Sequence, residues 1–119
     1  YINGDGETSR DFCYVDNAVQ ANLLAAMTNN DDATDQIYNI ALNDKTSLNE
    51  LYQMIEGSLL KRVQGLKKKE PIYRDFRPGD VRHSQASIDK AKKLLGYQPK
   101  FRLSQGLDEA IGWYIDSIK

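Results

Sequence analysis

The chain has 119 residues, of which 40% are hydrophobic and 28% are charged, a composition typical of one globular domain and too short for two independent cores. Its net charge of −1 excludes the broad positive field that attracts nucleic acid or an anionic membrane, so any anion site must be local. The single cysteine, Cys13, excludes an internal disulfide, and no apolar run is long enough to cross a membrane. With no signal peptide at its start, we expect a protein of the cytoplasm.

The first elements in chain order are a turn, a short strand and a helix. Because the chain opens on a strand-like segment without methionine, we expect it to be a fragment of a longer protein. "NGDG" predicts the turn, and the alternating segment "SRDFCYV" predicts the strand. Asp16 is predicted to cap a helix that runs from Asn17 to about Thr28. One face of this helix is expected to pack on the core through Val15, Ala18, Val19, Leu23, Ala26 and Met27.

The middle of the chain combines a strand pattern with the longest helix. "QIYNIAL" predicts a strand that is buried at least on the face of Tyr38, Ile40 and Leu42. Ser47 and Glu50 have the spacing of a capping box, which predicts the start of a helix. Its core stripe is expected to contain Leu48, Leu51, Tyr52, Ile55 and Leu59. A short edge strand in "PIYRDF" should follow.

The last third of the chain predicts two helices. Ser87 is expected to cap the first, which Gly96 should end, and the second should begin at about Ser104. The inward residues predicted on the last helix are Leu107, Ala110, Ile111, Tyr114, Ile115 and Ile118. Several helices with a few short strands predict one mixed α/β (α+β) domain over residues 1–119.

Residues 73–84, "YRDFRPGDVRHS", form a charged segment that contains three of the six arginines and the only histidine. A pyrophosphate is best held by two guanidinium groups from separate segments, and Arg10 and Arg77 are the natural pair. The alternative is that Arg10 and Asp11 are surface charges and that Arg74 and Arg77 bridge to nearby acids. The spacing alone leaves both interpretations open.

Two further residues of the charged segment could take part in binding or catalysis. Asp80 could accept two ribose hydroxyls, or it could satisfy backbone amides of its own turn. His83 could titrate near neutral pH, but we interpret it as a structural hydrogen-bonding residue, and no second cluster predicts a metal site. "GDGETS" has Ser9 where a dinucleotide-binding loop needs its third glycine, and "NGDGE" lacks calcium-loop spacing. We therefore expect these residues to bind neither cofactor nor metal.

Four segments occur in the order typical of one enzyme family: "INGDGETSRDFCYVDNAVQANLLA", "YNIA", "RPGDVRHSQASIDKAKKLLGYQP" and "GLDEAIGWY". On these segments the chain resembles the C-terminal part of extended short-chain dehydrogenase/reductases. It is most similar to nucleotide-sugar 4-epimerases, in particular bacterial enzymes that interconvert UDP-N-acetylglucosamine and UDP-N-acetylgalactosamine. The resemblance implies a helix-rich substrate-binding lobe, normally attached to an N-terminal Rossmann domain that holds NAD.

The resemblance also implies roles for individual residues. Arg10 and Arg77 match the arginines that hold the pyrophosphate, and Asp80 matches the carboxylate that accepts ribose hydroxyls. Tyr1 matches a position near the nucleoside. Ser84 matches the wall of the sugar pocket, where a small side chain admits an N-acetyl group; the alternative is that Ser84 simply starts a strand.

The chemistry of this family needs a glycine-rich NAD loop and a Tyr-x-x-x-Lys pair, and the sequence contains neither. The resemblance therefore implies that the parent enzyme epimerises with NAD, whereas this fragment has no catalytic residue and binds no NAD. Its expected partners are a UDP-sugar, bound weakly, and its own Rossmann domain. The parent is expected to be a homodimer and the isolated fragment to self-associate. Two alternatives remain: the same lobe of a dehydratase or uronate epimerase, or a stand-alone, non-enzymatic binding module.

Overall fold

The computed structural model describes residues 1–118. These residues form four α-helices and a few short strands, which confirms the mixed α/β prediction. In chain order the elements are β1 (Ile2–Asn3), β2 (Ser9–Arg10), α1 (Val15–Met27), a 3₁₀ turn (Asp31–Ala33), β3 (Thr46–Ser47), α2 (Leu48–Arg62), β4 (Tyr73–Arg74), α3 (Asp89–Leu95) and α4 (Leu103–Ser117).

The strands form two small sheets that share the first ten residues of the chain. β1 pairs in parallel with β4, with Ile2 opposite Tyr73, and β2 pairs antiparallel with β3, with Ser9 opposite Ser47. Ser9 also forms a parallel bridge with His83. Residues 1–10 therefore lie between the charged segment and the start of α2.

A cluster of small and aromatic side chains forms the core between α1, α3 and the loops around them. Its buried members are Ala21, Ala41, Ile88, Ala91 and Tyr97. Tyr97 is fully buried, and its hydroxyl donates to the Ala41 carbonyl oxygen at 3.0 Å. Burial also raises the pKa of Tyr97 well above its usual value, so the phenol stays protonated and remains a donor.

Two predicted helix signals and one predicted strand are confirmed. In the capping box of α2 the Ser47 hydroxyl accepts from the Glu50 amide at 3.2 Å, while Glu50 Oε2 accepts from the Ser47 amide at 2.7 Å. Gly96 ends α3 in the left-handed conformation, with φ of 68°. The edge strand predicted in "PIYRDF" is β4, at residues 73–74. The capping box and the glycine stop could be predicted because each involves residues only a few positions apart.

Predictions about helix starts and strands were wrong at several places. α1 begins at Val15 with Tyr14 in the cap position, so Asp16 lies in the first turn and does not cap it. Similarly, Ile88 rather than Ser87 occupies the cap position of α3. Of "SRDFCYV", only residues 9–10 are in a strand.

"QIYNIAL" forms no strand in the described part of the chain. Its backbone groups instead bond to side chains from distant segments. The Ala41 carbonyl accepts from Tyr97, and the Leu42 amide donates to the Asp11 carboxylate at 3.0 Å. Ala41 and Leu42 are buried, whereas Ile37 is 90% exposed. Burial of this segment was predicted in part, but not the way in which its backbone is satisfied.

The predicted inner face of α1 is also wrong. Val15, Val19, Leu23 and Met27, which we call the α1 apolar stripe, are all about half exposed or more. The opposite face is buried instead. On that face the Asn17 side chain donates through Nδ2 to the Phe101 carbonyl at 2.8 Å, and its Oδ1 accepts from the Phe101 backbone amide at 3.1 Å. On α4, Ile111 is buried, but two residues predicted to face inward, Tyr114 and Ile118, are exposed.

The overall shape is flat and elongated, with extents of 53 × 34 × 19 Å and a radius of gyration of 17.2 Å. A compact domain of this length has a radius of gyration of about 13–14 Å. The flat shape explains why apolar stripes at helical spacing remain on the surface. None of the helices within residues 1–118 combines the length and apolarity that a membrane crossing requires.

Candidate functional site

A cleft of about 520 Å³ lies between the start of the chain, α2 and the charged segment. β1, β2, α2 and the charged segment all contribute lining residues, so residues far apart in sequence face one space. The lining residues are Tyr1, Ile2, Asn3, Thr8, Arg10, Leu48, Leu51, Tyr52, Ile55, Arg77 and Asp80. One wall is charged and the other is largely apolar.

The charged wall combines two arginines from separate segments. Arg10 Nη2 donates to Asp80 Oδ1 at 2.5 Å, and Arg10 Nη1 donates to the Ser9 carbonyl at 2.8 Å. Arg77 Nε and Nη2 lie 2.7 and 3.0 Å from the Asn3 side-chain oxygen, in the amide orientation that satisfies both groups. Both guanidinium groups are therefore oriented at the cleft by neighbouring oxygens, and Asp80 balances one of the two positive charges.

The apolar wall is one face of α2. The capping box fixes the start of this helix, and Leu48, Leu51 and Ile55 then follow at helical spacing along the cleft. Tyr52 adds an aromatic ring, and its hydroxyl donates to the Lys69 carbonyl. Such a wall can bind a flat, weakly polar part of a ligand, while the charged side chains of the opposite wall face the rest of it.

The structure brings four of the five predicted site residues together. Tyr1, Arg10, Arg77 and Asp80 all line the cleft. The Arg74 guanidinium lies 3.4 Å from the centre of the Tyr1 ring, a cation–π contact at the mouth of the cleft. Ser84 does not line it; its amide donates to the Ser9 carbonyl at 3.1 Å, beside the strand that carries Arg10.

The alternative interpretation of the arginines is only partly correct. Arg10 does pair with an acid, but that acid is Asp80, 70 positions away on the same wall of the cleft. Among the contacts of the described residues, Arg74 stacks on Tyr1 and Arg77 faces Asn3, rather than bridging to nearby acids. Asn3 is a cleft residue that sequence reasoning missed, although its place in the predicted turn was a signal.

Asp11 is a structural residue rather than a surface charge. Its Oδ1 accepts from the Leu42 amide at 3.0 Å, and its Oδ2 accepts from the amides of Asp44 and Ala86, each at 3.3 Å. One carboxylate thus ties three chain segments together immediately after Arg10. No pattern in the sequence indicates such long-range bonds.

An ion pair beside the cleft was also missed. Arg82 donates to Asp5 through Nη1 at 3.0 Å and Nη2 at 2.6 Å, and this contact lowers the pKa of Asp5. His83 Nδ1 lies 2.9 Å from the Ser9 hydroxyl, which agrees with its interpretation as a structural hydrogen-bonding residue.

Neither a metal ion nor a reactive thiol is indicated. In the part of the chain that the structure describes, no group of three or more His, Cys, Asp or Glu residues is placed to hold a metal. Burial raises the pKa of the Cys13 thiol, which disfavours the nucleophilic thiolate.

Comparison with known proteins decides the family. The model of the GDP-mannose 4,6 dehydratase family matches residues 1–110. The chain belongs to this family. The cleft can thus be compared with members of the GDP-mannose 4,6 dehydratase family and their structural relatives.

Three solved structures are similar over nearly the whole chain. UDP-glucose 4-epimerase of Thermotoga maritima, solved with UDP-glucose, is 33% identical with a TM-score of 0.84, and the match covers 99% of this chain and 36% of the other. UDP-N-acetylglucosamine 4-epimerase of Methanobrevibacter ruminantium, solved with UDP-N-acetylmuramic acid, is 32% identical with a TM-score of 0.81 (98% and 34%). UDP-glucuronic acid 4-epimerase of Bacillus cereus, solved with UDP-glucuronic acid and NAD, is 30% identical with a TM-score of 0.82 (99% and 35%).

The chain spans about a third of the length of the curated relatives it matches, at 33% and 34% of the first two. It matches the C-terminal part of the epimerase structures, with the same mixed arrangement of helices and short strands. The predicted fold and family are therefore confirmed, while the particular sugar is not singled out by these relatives.

Proposed function

We propose that this chain is the substrate-binding lobe of an NAD-dependent nucleotide-sugar 4-epimerase and that the cleft binds the nucleoside diphosphate of a UDP-sugar. The observation that supports this most strongly is the convergence of Arg10 and Arg77, 67 positions apart in sequence, on one cleft. Guanidinium groups form two-pronged hydrogen bonds to phosphate oxygens and stay charged at all relevant pH values. Two of them from separate segments, a strand and a loop, suit a diphosphate better than a single phosphate.

Each lining residue has a proposed role in this ligand's recognition. Arg10 and Arg77 bind the diphosphate, and Asp80 accepts ribose hydroxyls through the oxygen that Arg10 does not occupy. The base lies between Tyr1 and the apolar face of α2. The similar epimerases solved with UDP-glucose and with UDP-glucuronic acid support a UDP-sugar as the ligand class.

We further propose that NAD is held by residues outside this chain. The only glycine turn of dinucleotide type in the sequence, at Gly4 and Gly6, does not fit the cofactor. A Cβ atom at Gly4 would lie 2.4 Å from the Phe76 ring, and one at Gly6 would lie 1.9 Å from the Asn49 amide oxygen. Those side chains fill the space that a dinucleotide's phosphates need. The residues of this chain would thus bind and orient the sugar nucleotide, and the hydride chemistry belongs to the other lobe.

The lobe that carries NAD is also the proposed partner of the α1 apolar stripe. Val15, Val19, Leu23 and Met27 recur every four residues and are exposed along one face of the helix. Covering such a face with a second apolar surface is favourable by about 25 cal/mol per Å² of buried apolar area. We propose that the Rossmann lobe of the same polypeptide covers it and that the whole enzyme is a homodimer.

We propose UDP-N-acetylglucosamine and its C4 epimer as the substrates. Ser84 is exposed and follows the bridge between His83 and Ser9, so its small side chain is one residue from the strand that carries Arg10. We propose that a small side chain at this position, outside the cleft that binds the diphosphate, leaves room for an N-acetyl group on the sugar. The similar UDP-N-acetylglucosamine 4-epimerase of Methanobrevibacter ruminantium supports this choice, and the UDP-glucuronate relatives make a uronate epimerase the second candidate.

The test is turnover by the full-length polypeptide on UDP-N-acetylglucosamine, UDP-glucose and UDP-glucuronate, followed by proton NMR of the sugar C4 position. We expect the protein to convert UDP-N-acetylglucosamine to its C4 epimer. We expect Ser84→Tyr to lose this reaction while retaining turnover of UDP-glucose. Turnover of UDP-glucuronate alone would identify a uronate epimerase, and a 4-keto-6-deoxy product would identify a dehydratase. UDP binding without turnover of any of these sugars would favour a binding module.

A further inference from the structure

We propose that Asp5 and Arg82 form a clasp that positions Arg77 and Asp80 for the diphosphate, without either clasp residue contacting the ligand. This inference rests on the proposed function of the cleft. Neither Asp5 nor Arg82 is among the cleft-lining residues. Both therefore act through the loop 75–81, which carries Arg77 and Asp80.

The two ends of the loop 75–81 are attached to neighbouring backbone. At its start the Gly4 amide donates to the Arg74 carbonyl at 2.8 Å, and at its end the Ser9 amide donates to the Arg82 carbonyl at 2.9 Å. Between these points, the backbone hydrogen bond that the structure describes is the local turn from the Asp80 amide to the Arg77 carbonyl, at 3.2 Å. Side-chain contacts must therefore hold the loop in place.

Besides the Arg10–Asp80 and Asn3–Arg77 contacts of the loop, Arg82 supplies contacts at its base. Its guanidinium makes two hydrogen bonds to the Asp5 carboxylate and lies 5.3 Å from the centre of the Phe76 ring. Phe76 in turn lies against Gly4, which has φ of +79° and no room for a side chain. A single side chain at the end of the loop thus contacts both the start of the loop and the Gly4–Gly6 turn.

Asp5 connects this arrangement to the opposite wall of the cleft. Its carboxylate also accepts from the Glu7 amide at 3.0 Å, and its carbonyl accepts from the Asn49 side chain at 3.2 Å. Asn49 belongs to the first turn of α2, the helix that forms the apolar wall. The clasp therefore sets the distance between the charged wall and the apolar wall. A ligand that contacts both walls binds well only if this distance is correct.

The exposure of the clasp argues for positioning rather than for stability. The side chains of Arg82 and Asp5 are 43% and 48% exposed, and ion pairs that face solvent contribute little to folding. A planar, two-pronged pair nevertheless fixes orientation in a way that an ammonium group cannot reproduce. Arg82→Lys and Asp5→Asn should therefore affect ligand affinity more than they affect folding.

The experiment is a UDP titration of the protein followed by backbone-amide NMR, with the melting temperature of each variant measured in parallel. We expect Arg82→Lys and Asp5→Asn each to weaken UDP binding roughly tenfold, the effect typical of a lost hydrogen bond to a charged group. The ligand-induced shifts of Arg77 and Asp80 should shrink, while those of Leu48 and Leu51 on α2 persist. Melting temperatures should stay close to that of the unchanged protein.

Two controls separate the possible failures. Arg62→Lys alters the arginine of another exposed ion pair, with Asp108, and should leave UDP affinity unchanged. Arg77→Ala tests the cleft itself, so if it binds UDP as well as the unchanged protein, the proposed function is wrong. If Arg77→Ala loses binding but both clasp variants retain it, only the clasp is wrong. Equal loss of response on both walls together with a large fall in melting temperature would also overturn the clasp.

Discussion

At the scale of single residues, the site depends on carboxylates whose partners lie far away in sequence. Asp11 follows Arg10 directly, yet it bonds to the backbone of residues 42, 44 and 86. Asp5 pairs with Arg82 across 77 positions, and Asp80 pairs with Arg10 across 70. These three acids hold together the segments that form the cleft.

Replacing Asp11 by Asn should destabilise the protein by about 1–3 kcal/mol, because a side-chain amide has one acceptor oxygen and would leave a partly buried backbone amide without a partner. Chemical unfolding measures this loss. Asp75→Asn, at an exposed position of the charged segment, is the matched control and should change the unfolding free energy by less than about 0.5 kcal/mol. Equal effects of the two substitutions would mean that the Asp11 contacts contribute nothing specific.

Some local features could be predicted from the sequence, whereas most contacts between distant segments could not. Ser47 and Glu50 lie three positions apart, so their capping box could be read directly from the chain. Arg10 and Arg77 could be paired because diphosphate binding needs two guanidinium groups, a chemical argument that does not depend on the fold. The bonds of Asp11 and the pair of Asp5 with Arg82 follow from tertiary geometry, so no local pattern reveals them.

At the scale of elements, the apolar periodicity of α1 predicted a helix correctly but assigned its buried face wrongly. The pattern identifies a face that avoids water and does not say which surface covers it. Within this chain the Asn17 amide and Ala21 face the core, so the apolar stripe is left on the surface. The same reasoning applies to Tyr114 and Ile118 at the end of α4.

Two glycines of α4 should respond oppositely to alanine. A Cβ atom at Gly106 would lie 2.5 Å from Tyr14 Cβ, which is fixed to its backbone, whereas a Cβ atom at Gly112 meets nothing within 4 Å. Gly112→Ala should stabilise the protein by about 0.5–1 kcal/mol through helix propensity. Gly106→Ala should lower the melting temperature despite the same propensity gain. Stabilisation by both would show that α4 does not pack on Tyr14.

Because of a contact between α2 and α4, the free energy of unfolding should fall when the pH becomes acidic. Ser58 donates to Asp108 at 2.6 Å and Arg62 donates to it at 3.2 Å, and these bonds lower the pKa of Asp108 below its ordinary value of 3.8. A lowered pKa contributes stability above the unfolded value, which is lost as the pH falls through the folded value.

The unfolding free energy of the unchanged protein should therefore be steady near neutral pH and fall below about pH 4. Asp108→Asn should make this acid decline shallower, although Asp5 and Glu50, whose pKa values are also lowered, would still contribute. Glu109→Gln, the neighbouring position on α4, is the control and should leave the decline unchanged. An identical decline in Asp108→Asn would contradict the account of this contact.

At the scale of the whole molecule, the chain is flat and exposes the α1 apolar stripe on one of its faces. The radius of gyration of 17.2 Å exceeds the value of about 13–14 Å for a compact domain of this length. Exposed apolar patches of this kind promote association. The shape thus agrees with the proposal that a second lobe completes the structure.

The chain by itself should self-associate through the α1 apolar stripe. Light scattering over a range of concentrations should show an apparent mass that rises with concentration. Replacing Leu23 and Met27 by Lys should reduce this rise, because both side chains are exposed on the stripe. Leu66→Lys, an exposed apolar residue outside the stripe, is the control. A constant monomer mass in the unchanged protein would contradict the prediction.

A crystal structure of the protein with UDP would show whether Arg10 and Arg77 bind one diphosphate. We expect the diphosphate between the two guanidinium groups, with N–O distances of about 2.7–2.9 Å, and the uracil against the α2 wall. A diphosphate bound by Arg77 without Arg10, or bound outside the cleft, would contradict this expectation.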